Sequence, residues 1–111
     1  MASVLRGDIV WVDLDPVLGR EQGGRRPAVV ISADAFNARS GTLIVMAITS
    51  QDTKLPYPLS MELEETKLPK RSWVKIHQVR TISLERVGKR IGRIDPEELS
   101  RLIEGLNQIV D

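Results

Sequence analysis

The chain has 111 residues, a formal net charge of +1, and 41% hydrophobic and 28% charged residues. This length predicts a single domain over residues 1–111, and the composition excludes a disordered chain. No apolar run approaches the roughly 18 residues of a membrane span. The absence of cysteine excludes disulfides, thiolate catalysis and Cys-type zinc sites, and fits a protein of the reducing cytoplasm.

Short β-branched runs bounded by Gly, Pro and Asp predict a mostly β domain. The predicted strands cover residues 8–14, 27–32, 42–49, 59–64 and 72–79, with short bent strands over 84–94. The strand at 42–49 is apolar nearly throughout, which favours a central position. Residues 15–26 are predicted as a loop, and residues 33–40 as a helical turn that begins at Ser32 or Asp34.

The last element has clear helix signals. Asp95 is a natural N-cap, Pro96 suits the first helical position, and Glu98 follows the cap by three residues. The apolar residues recur at helical spacing and predict one buried stripe: Leu99, Leu102, Ile103, Leu106, Ile109 and Val110. Several short strands followed by one packing helix predict an α+β fold.

Positive charge is concentrated in residues 67–93, which hold nine Lys or Arg residues against the single acid Glu85. Such an excess can attract a polyanion or an acidic partner. Alternatively, the acidic segment 95–111 pairs these charges across the fold. The composition leaves both interpretations open.

The residue inventory limits the possible chemistry. With His77 as the only histidine, a two-histidine acid–base pair and a His-rich zinc site are excluded within one chain. The carboxylate pairs Asp13/Asp15 and Glu62/Glu64 are more typical of strands and turns than of metal ligation. No phosphate-loop or dinucleotide glycine pattern is present, so we expect no metal and no cofactor.

The most informative segment is the loop at residues 19–27, G-R-E-Q-G-G-R-R-P. Its glycines allow close approach of the backbone to a ligand, and its arginines provide planar donors suited to phosphate. Arg26, next to the strand-entry proline, should be better anchored than Arg20 or Arg25. Thr49 and Ser50, at the end of the central strand, mark either a site or only a hydrogen-bonded turn. The alternative for the loop itself is a flexible, soluble hairpin connection.

Several motifs closely resemble those of the MazF/PemK toxins. They are R-G-D-I-V-W from residue 6, G-R-E-Q-G-G-R-R-P-A-V-V-I-S from residue 19, A-I-T-S from residue 47, Q-V-R-T-I from residue 78 and R-I-G-R-I from residue 90. The resemblance covers nearly the whole chain in the right order. It implies a small SH3-like, mostly antiparallel β-barrel with a C-terminal helix, assembled as a homodimer.

The resemblance also implies a sequence-selective, metal-independent endoribonuclease that cuts single-stranded RNA and is silenced by an acidic, MazE-like antitoxin. It assigns the catalytic pair to Arg26 and Thr49. It places Glu21, Gln22, Gln78 and Arg80 near the RNA, and we add Arg20, Arg25 and Ser50 to the predicted RNA-binding residues. His77 falls at a position with no assigned role.

Elementary chemistry is consistent with this assignment. The RNA 2′-hydroxyl attacks the adjacent phosphorus and expels the 5′-oxygen, so the enzyme must position the substrate and stabilise charge on the phosphate. Arg26 suits charge stabilisation, Thr49 can donate a hydrogen bond to a phosphate oxygen, and Glu21 is the candidate base. No residue is assigned as the proton donor for the leaving oxygen.

Other interpretations remain at the level of sequence. The chain could be a non-enzymatic, gyrase-poisoning toxin of the same fold, or an RNA-binding module without catalysis. The positive segment could hold RNA, the antitoxin, or both in turn. Trp73 and Tyr57 are possible base-stacking platforms, although Trp11 and Trp73 are more typical of a core or a dimer contact. The recognised RNA sequence is expected to depend on the loops at 15–26 and 50–58.

Overall fold

Six strands and two helices follow one another along the chain in a computed structural model, which describes residues 4–15, 18–21, 23–64 and 68–111. The elements are β1 (Asp8–Asp13), β2 (Arg25–Val30), α1 (Asp34–Ser40), β3 (Thr42–Thr49), β4 (Ser60–Leu63), β5 (Ser72–Ser83), β6 (Val87–Arg93) and α2 (Pro96–Val110). A short 3₁₀ turn, Leu84–Arg86, links β5 to β6.

The strands form one antiparallel sheet in the order β4-β5-β3-β2-β1-β6. The apolar strand β3 is internal, between β5 and β2, as its sequence predicts. The α+β prediction of an antiparallel sheet with a C-terminal helix is confirmed. Within the described ranges β4 and β6 are the two edges, so the sheet is open rather than a closed barrel.

The two faces of the sheet have separate apolar clusters. The first, here called the helix face, packs against α2 and includes Ile9, Val29, Met46, Ile48, Val74, Ile76 and Leu102. The second, here called the loop face, includes Val10, Val12, Leu14, Ala28, Val30, Val45, Ala47 and Ile82. Because side chains alternate along a strand, each strand contributes to both faces.

The connection between β1 and β2 lies over the loop face. The Arg80 guanidinium of β5 donates to the carbonyl of Leu14 at 2.6 Å, and the Gln78 amide donates to the carbonyl of Arg20 at 3.2 Å. Arg86 donates to the carbonyl of Asp15 at 2.8 Å. Three side chains from β5 and the following turn therefore hold this loop in place.

Strand β5 carries an irregularity that decides which of its residues share a face. Met46 pairs with Val79, but Ile48, two residues along β3, pairs with Val74. The register shift lets apolar residues on both sides of it stay on the helix face. Trp73 and Lys75 before the shift, and Gln78 and Arg80 after it, consequently lie on the loop face.

Several predicted boundaries differ from those in the structure. The predicted loop at 15–26 ends earlier, because Arg25 and Arg26 pair with Asp13 and Val12 and so extend β2. Helix α1 begins at Asp34, one of the two predicted starts, with Ala33 before it as the N-cap residue. The Ser32 hydroxyl is used elsewhere, since it bonds to the Asn37 amide and accepts the N–H of Ile44.

Helix α2 begins as predicted, with the Asp95 carboxylate accepting the N–H groups of Glu97 and Glu98. The Glu98 side chain, three residues after this cap, contacts a distant segment of the chain. That carboxylate is buried and accepts the N–H of Glu64 at 2.8 Å, which ties the helix to the end of β4. The apolar stripe packs through Leu102 and its partly buried neighbours, whereas Ile109 and Val110 are exposed.

Candidate active site

Arg26 lies at the start of β2, where the strand leaves the loop that covers the loop face. Its side chain is half-buried, and its Nε–H donates to the carbonyl of Gly23 at 2.8 Å. Gly24, with a φ of +78°, makes the turn between them, a conformation that favours glycine. The arginine is thereby anchored to its own loop, whereas Arg20 and Arg25 are exposed.

Thr49 is the last residue of β3 and is 5% exposed. Its hydroxyl oxygen accepts the N–H of Gln51 at 3.2 Å, which fixes the side chain as the strand turns away. In the ladder with β5 it stands opposite Trp73. Thr49 therefore sits at the end of the central strand with its side chain on the loop face, two residues beyond Ala47.

The register of the sheet relates these two residues. Ala28 of β2 pairs with Ala47 of β3, and both belong to the loop face. Continued by two residues, the same register brings Arg26 to the position opposite Thr49. A guanidinium and a hydroxyl from neighbouring strands thus face the same side at the edge of an otherwise apolar surface, where an anionic group can be bound between them.

Lys75 is a further member of the site that the sequence analysis did not select. It is half-buried on β5, two residues after Trp73 and on the same face. Burial lowers the pKa of its ammonium group, and the nearby positive charge of Arg26 lowers it further. The sequence did carry a signal for Lys75: in the predicted strand at 72–79 it lies two residues after Trp73 and therefore on the same face.

The remaining predicted RNA-binding residues do not all lie on the same side of the sheet as Arg26 and Thr49. Gln78 and Arg80 are on the loop face, where they donate to backbone carbonyls of the overlying loop. Ser50 is exposed immediately after Thr49. Arg25 points to the opposite side of β2 from Arg26, where its guanidinium comes close to Gly88. Gln22 lies outside the described residues.

Glu21, the candidate base, is engaged within its own loop. Its carboxylate accepts the N–H of Leu18 at 2.6 Å, and its own N–H donates to the Leu18 carbonyl at 3.2 Å. Its side chain is exposed. No contact of Glu21 with Arg26 or Thr49 is found among the described residues, so its role as a base stays a prediction.

The aromatic residues act mainly in packing. Trp73 is buried, and the Arg71 guanidinium lies 5.0 Å from its ring centroid. Tyr57 packs on α2, where its hydroxyl donates to the carbonyl of Arg101 at 2.7 Å. Gly105 permits this contact, because a Cβ there would lie 3.2 Å from the tyrosine ring. Trp11 is 38% exposed, so it is not part of the core, and the alternative that it makes a dimer contact stays a prediction.

Several arginines of the positive segment are paired within the fold, but not mainly with the acidic helix. Arg90 and Arg93 both contact the buried carboxylate of Asp8, at 3.2 and 2.7 Å. Arg71 makes two hydrogen bonds with Glu62, at 2.8 and 2.9 Å. Glu62 and this guanidinium shift each other's pKa values, downwards for the carboxyl and upwards for the arginine, through that hydrogen bond. The segment is therefore partly structural.

Residues 4–15, 18–21, 23–64 and 68–111 contain neither a membrane-spanning helix nor a cluster of metal ligands. None of the helices there is long and apolar enough to cross a membrane. No group of three or more His, Cys, Asp or Glu residues among them is arranged to hold a metal ion.

Comparisons with known proteins agree on one class, that of bacterial toxin proteins of the MazF type. The chain is 39% identical over 105 residues to endoribonuclease EndoA of Bacillus subtilis, covering 93% of this chain and 90% of the relative. The crystal structure of MazF (Form-I) from Deinococcus radiodurans matches with a TM-score of 0.87 and 26% identity, over 99% of this chain and 98% of the other.

A MazE–MazF structure (Form-II) from the same organism matches with a TM-score of 0.79 and 26% identity, over 99% of this chain and 97% of that one. Residues 5–110 match the family described as PemK-like, MazF-like toxin of type II toxin-antitoxin system. The chain belongs to this family, and the resemblance stated from its sequence motifs is confirmed.

Proposed function

We propose that the protein is a sequence-selective endoribonuclease toxin that cuts single-stranded RNA in the cytoplasm without a metal ion. One structural observation supports the proposal: the register of β2 and β3, continued two residues beyond the Ala28–Ala47 pair, brings the anchored Arg26 opposite the buried Thr49. Family membership and the endoribonuclease name of the Bacillus relative support the same activity.

The site suits a reaction in which the RNA provides its own nucleophile. The 2′-oxygen attacks the adjacent phosphorus, the bond to the 5′-oxygen breaks, and the products are a 2′,3′-cyclic phosphate and a 5′-hydroxyl. Negative charge grows on the non-bridging oxygens as the transition state forms. Arg26 stabilises that charge, and the Thr49 hydroxyl donates a hydrogen bond to one of the same oxygens.

We further propose that the protein forms a homodimer and binds an acidic antitoxin. The MazE–MazF structure from Deinococcus radiodurans is that of a related toxin with its antitoxin. Lys70 and Lys89 are exposed cations within the positive segment and suit an acidic partner. Exposed apolar side chains such as Leu18 and Leu84 offer contact area for a second copy of the chain.

The test is to incubate the purified protein with a long defined transcript in excess EDTA and to map every new end. Cleavage at a recurring short sequence, with 2′,3′-cyclic phosphate ends, is expected. An oligonucleotide that carries deoxyribose at the mapped scissile position should stay intact. Loss of cleavage in EDTA would contradict the metal-free reaction, and cutting of the deoxyribose substrate would contradict attack by the 2′-hydroxyl.

The matched variants are Arg26→Ala and Arg39→Ala, the latter an exposed arginine in the last turn of α1. The first should lose cleavage by about 10²-fold or more, and the second should cleave normally. A parallel incubation with gyrase distinguishes the non-enzymatic alternative. Inhibition of gyrase with no cleavage of RNA, or RNA binding with no cyclic phosphate, would overturn the proposal.

A further inference from the structure

The reaction proposed above leaves one requirement unmet. The departing 5′-oxygen is a poor leaving group until it receives a proton, and the donor must lie beside it as the bond to phosphorus breaks. A guanidinium such as that of Arg26 does not release a proton near neutral pH, and the hydroxyl of Thr49 is a weak acid. The site therefore needs a third group.

Lys75 is placed to meet this requirement. It follows Trp73 by two residues on β5, and Trp73 stands opposite Thr49, so both side chains and the threonine share the loop face. On the other side β5 pairs with β4, where Lys75 stands opposite the buried Ser60. Its side chain is half-buried, and the charge of Arg26 acts on its ammonium group.

We propose that Lys75 is a catalytic residue of this site, which gives a proton from its ammonium group to the 5′-oxygen as that oxygen leaves phosphorus. The assignment rests on the proposed endoribonuclease function. In this step the bond between the 2′-oxygen and phosphorus forms, the bond between phosphorus and the 5′-oxygen breaks, and one proton moves from nitrogen to the 5′-oxygen. The 2′-hydroxyl proton leaves to solvent, and the neutral amine then takes a proton from water.

The environment of Lys75 is suited to that exchange. Arg26 is close enough for its charge to act on the ammonium group, so two cations from the strands on either side of β3 favour an anion between them. The resulting lowered pKa of Lys75 makes the ammonium a better proton donor than an ordinary lysine. A phosphodiester bound between the two groups brings the leaving oxygen to the lysine.

Other charged groups near this part of the sheet are committed to different partners. Glu62 of β4 faces the same side but is held by Arg71. His77 is exposed, and its Nδ1 lies 3.0 Å from the carbonyl of Leu59. Five charged or titratable groups lie near Lys75 and bear on the pH dependence of cleavage: Arg26, Asp52, Glu62, Arg71 and His77.

The experiment uses two oligonucleotides built on the sequence that the transcript mapping identifies. One has the natural 5′-oxygen at the scissile bond, and the other has a bridging sulfur in its place. A thiolate leaves without prior protonation, so the sulfur substrate does not need the acid. The variants are Lys75→Met, which keeps most of the side-chain volume, and Lys75→Arg, which keeps the charge but not the transferable proton.

We expect both variants to lower kcat on the oxygen substrate by about 10²- to 10⁴-fold, the range typical of general acid catalysis. On the sulfur substrate both should cleave at nearly the wild-type rate. The wild-type kcat on the oxygen substrate should fall as the pH rises through the lowered pKa of Lys75, and this alkaline decline should be missing with sulfur. Arg39→Met, an exposed cation in the last turn of α1, should match the wild type throughout.

Two results would overturn the assignment. Equal losses on the two substrates would show that Lys75 binds phosphate without transferring a proton. Wild-type rates for Lys75→Met on the oxygen substrate would remove it from the reaction. Near-normal cleavage of the sulfur substrate also shows that a variant is folded. The proposed function is judged separately. It fails if the wild type cleaves neither the oxygen nor the sulfur substrate. It stands if the wild type cleaves and Arg26→Ala does not, regardless of the result for the Lys75 variants.

Discussion

The helix face and the loop face belong to the same six strands, yet they are built in different ways. The helix face is closed by α2 and filled with aliphatic side chains, with Leu102 fully buried at its centre. The loop face has a comparable aliphatic cluster, but its edge carries Arg26, Thr49 and Lys75. It is covered by a connection that side-chain hydrogen bonds hold in place.

This difference separates two tasks within one small sheet. Complete apolar packing on the helix face provides the free energy of folding. On the loop face two like charges approach each other, which opposes folding but attracts a phosphate. Substitutions on the first face should therefore change stability, and substitutions at the edge of the second should change activity.

The largest effect is expected from Leu102→Ala. This change removes a fully buried side chain from the contact between α2 and the sheet and should lower the free energy of unfolding by about 2–5 kcal/mol. Ile109→Ala, on the same helix but exposed, should cost far less. Urea unfolding measures both. Equal costs for the two variants would contradict the assignment of the helix face as the main source of stability.

Thr49→Val, in contrast, should reduce activity strongly and stability only slightly. Valine keeps the shape of the buried side chain but cannot donate to phosphate, so kcat should fall by about 10²- to 10³-fold. The lost bond to the Gln51 N–H should cost only about 1 kcal/mol of stability. Thr42→Val, at the other end of β3, is the control for activity. Normal cleavage by Thr49→Val would remove the hydroxyl from the mechanism.

A smaller change in stability is expected from Asp95→Ala. The carboxylate accepts the N–H groups of Glu97 and Glu98 at 3.1 and 3.3 Å, and loss of such a cap typically costs about 1 kcal/mol. Because α2 covers only the helix face, cleavage per folded molecule should not change. A loss of activity greater than the loss of folded protein would show that the two faces are coupled.

The smallest effect concerns the charge on Lys75. Its lowered pKa means that the folded protein binds this proton less tightly than the unfolded chain does. The free energy of unfolding should therefore rise with pH between the lowered pKa and the ordinary lysine value. Lys75→Met should abolish this rise, and Lys89→Met should keep it. A rise of the same size in Lys75→Met would assign the effect to other groups.

Much of the architecture could be predicted from the sequence because local signals agreed with the packing. The apolar residues of β3 indicated an internal strand, and Asp95 with Pro96 indicated the start of α2. Two separate sequence motifs selected Arg26 and Thr49, which the continued register of β2 and β3 then relates. These features depend on side chains close to one another in sequence.

What the sequence did not predict depends on contacts between distant segments. The buried Glu98 accepts the N–H of Glu64, a contact that folding forms between residues 34 positions apart. The sequence did not distinguish Lys75 from the other positive residues of the segment 67–93, because only the pairing of β5 with β3 shows that it shares a face with Thr49. The pairing of Arg90 and Arg93 with Asp8 is likewise formed between the two ends of the domain.

The irregular pairing within β5 has a consequence for parity along the strand. Between Met46 and Ile48 the central strand advances by an even number of residues, while its partner advances by an odd number, from Val79 to Val74. Removing His77 would make both advances even, so β5 would alternate regularly with Val74, Ile76 and Val79 still facing α2 and Trp73 and Lys75 still on the loop face. The irregularity is therefore the place where the strand accommodates an extra residue, and a single-codon deletion there would leave each surface on its own side of the sheet.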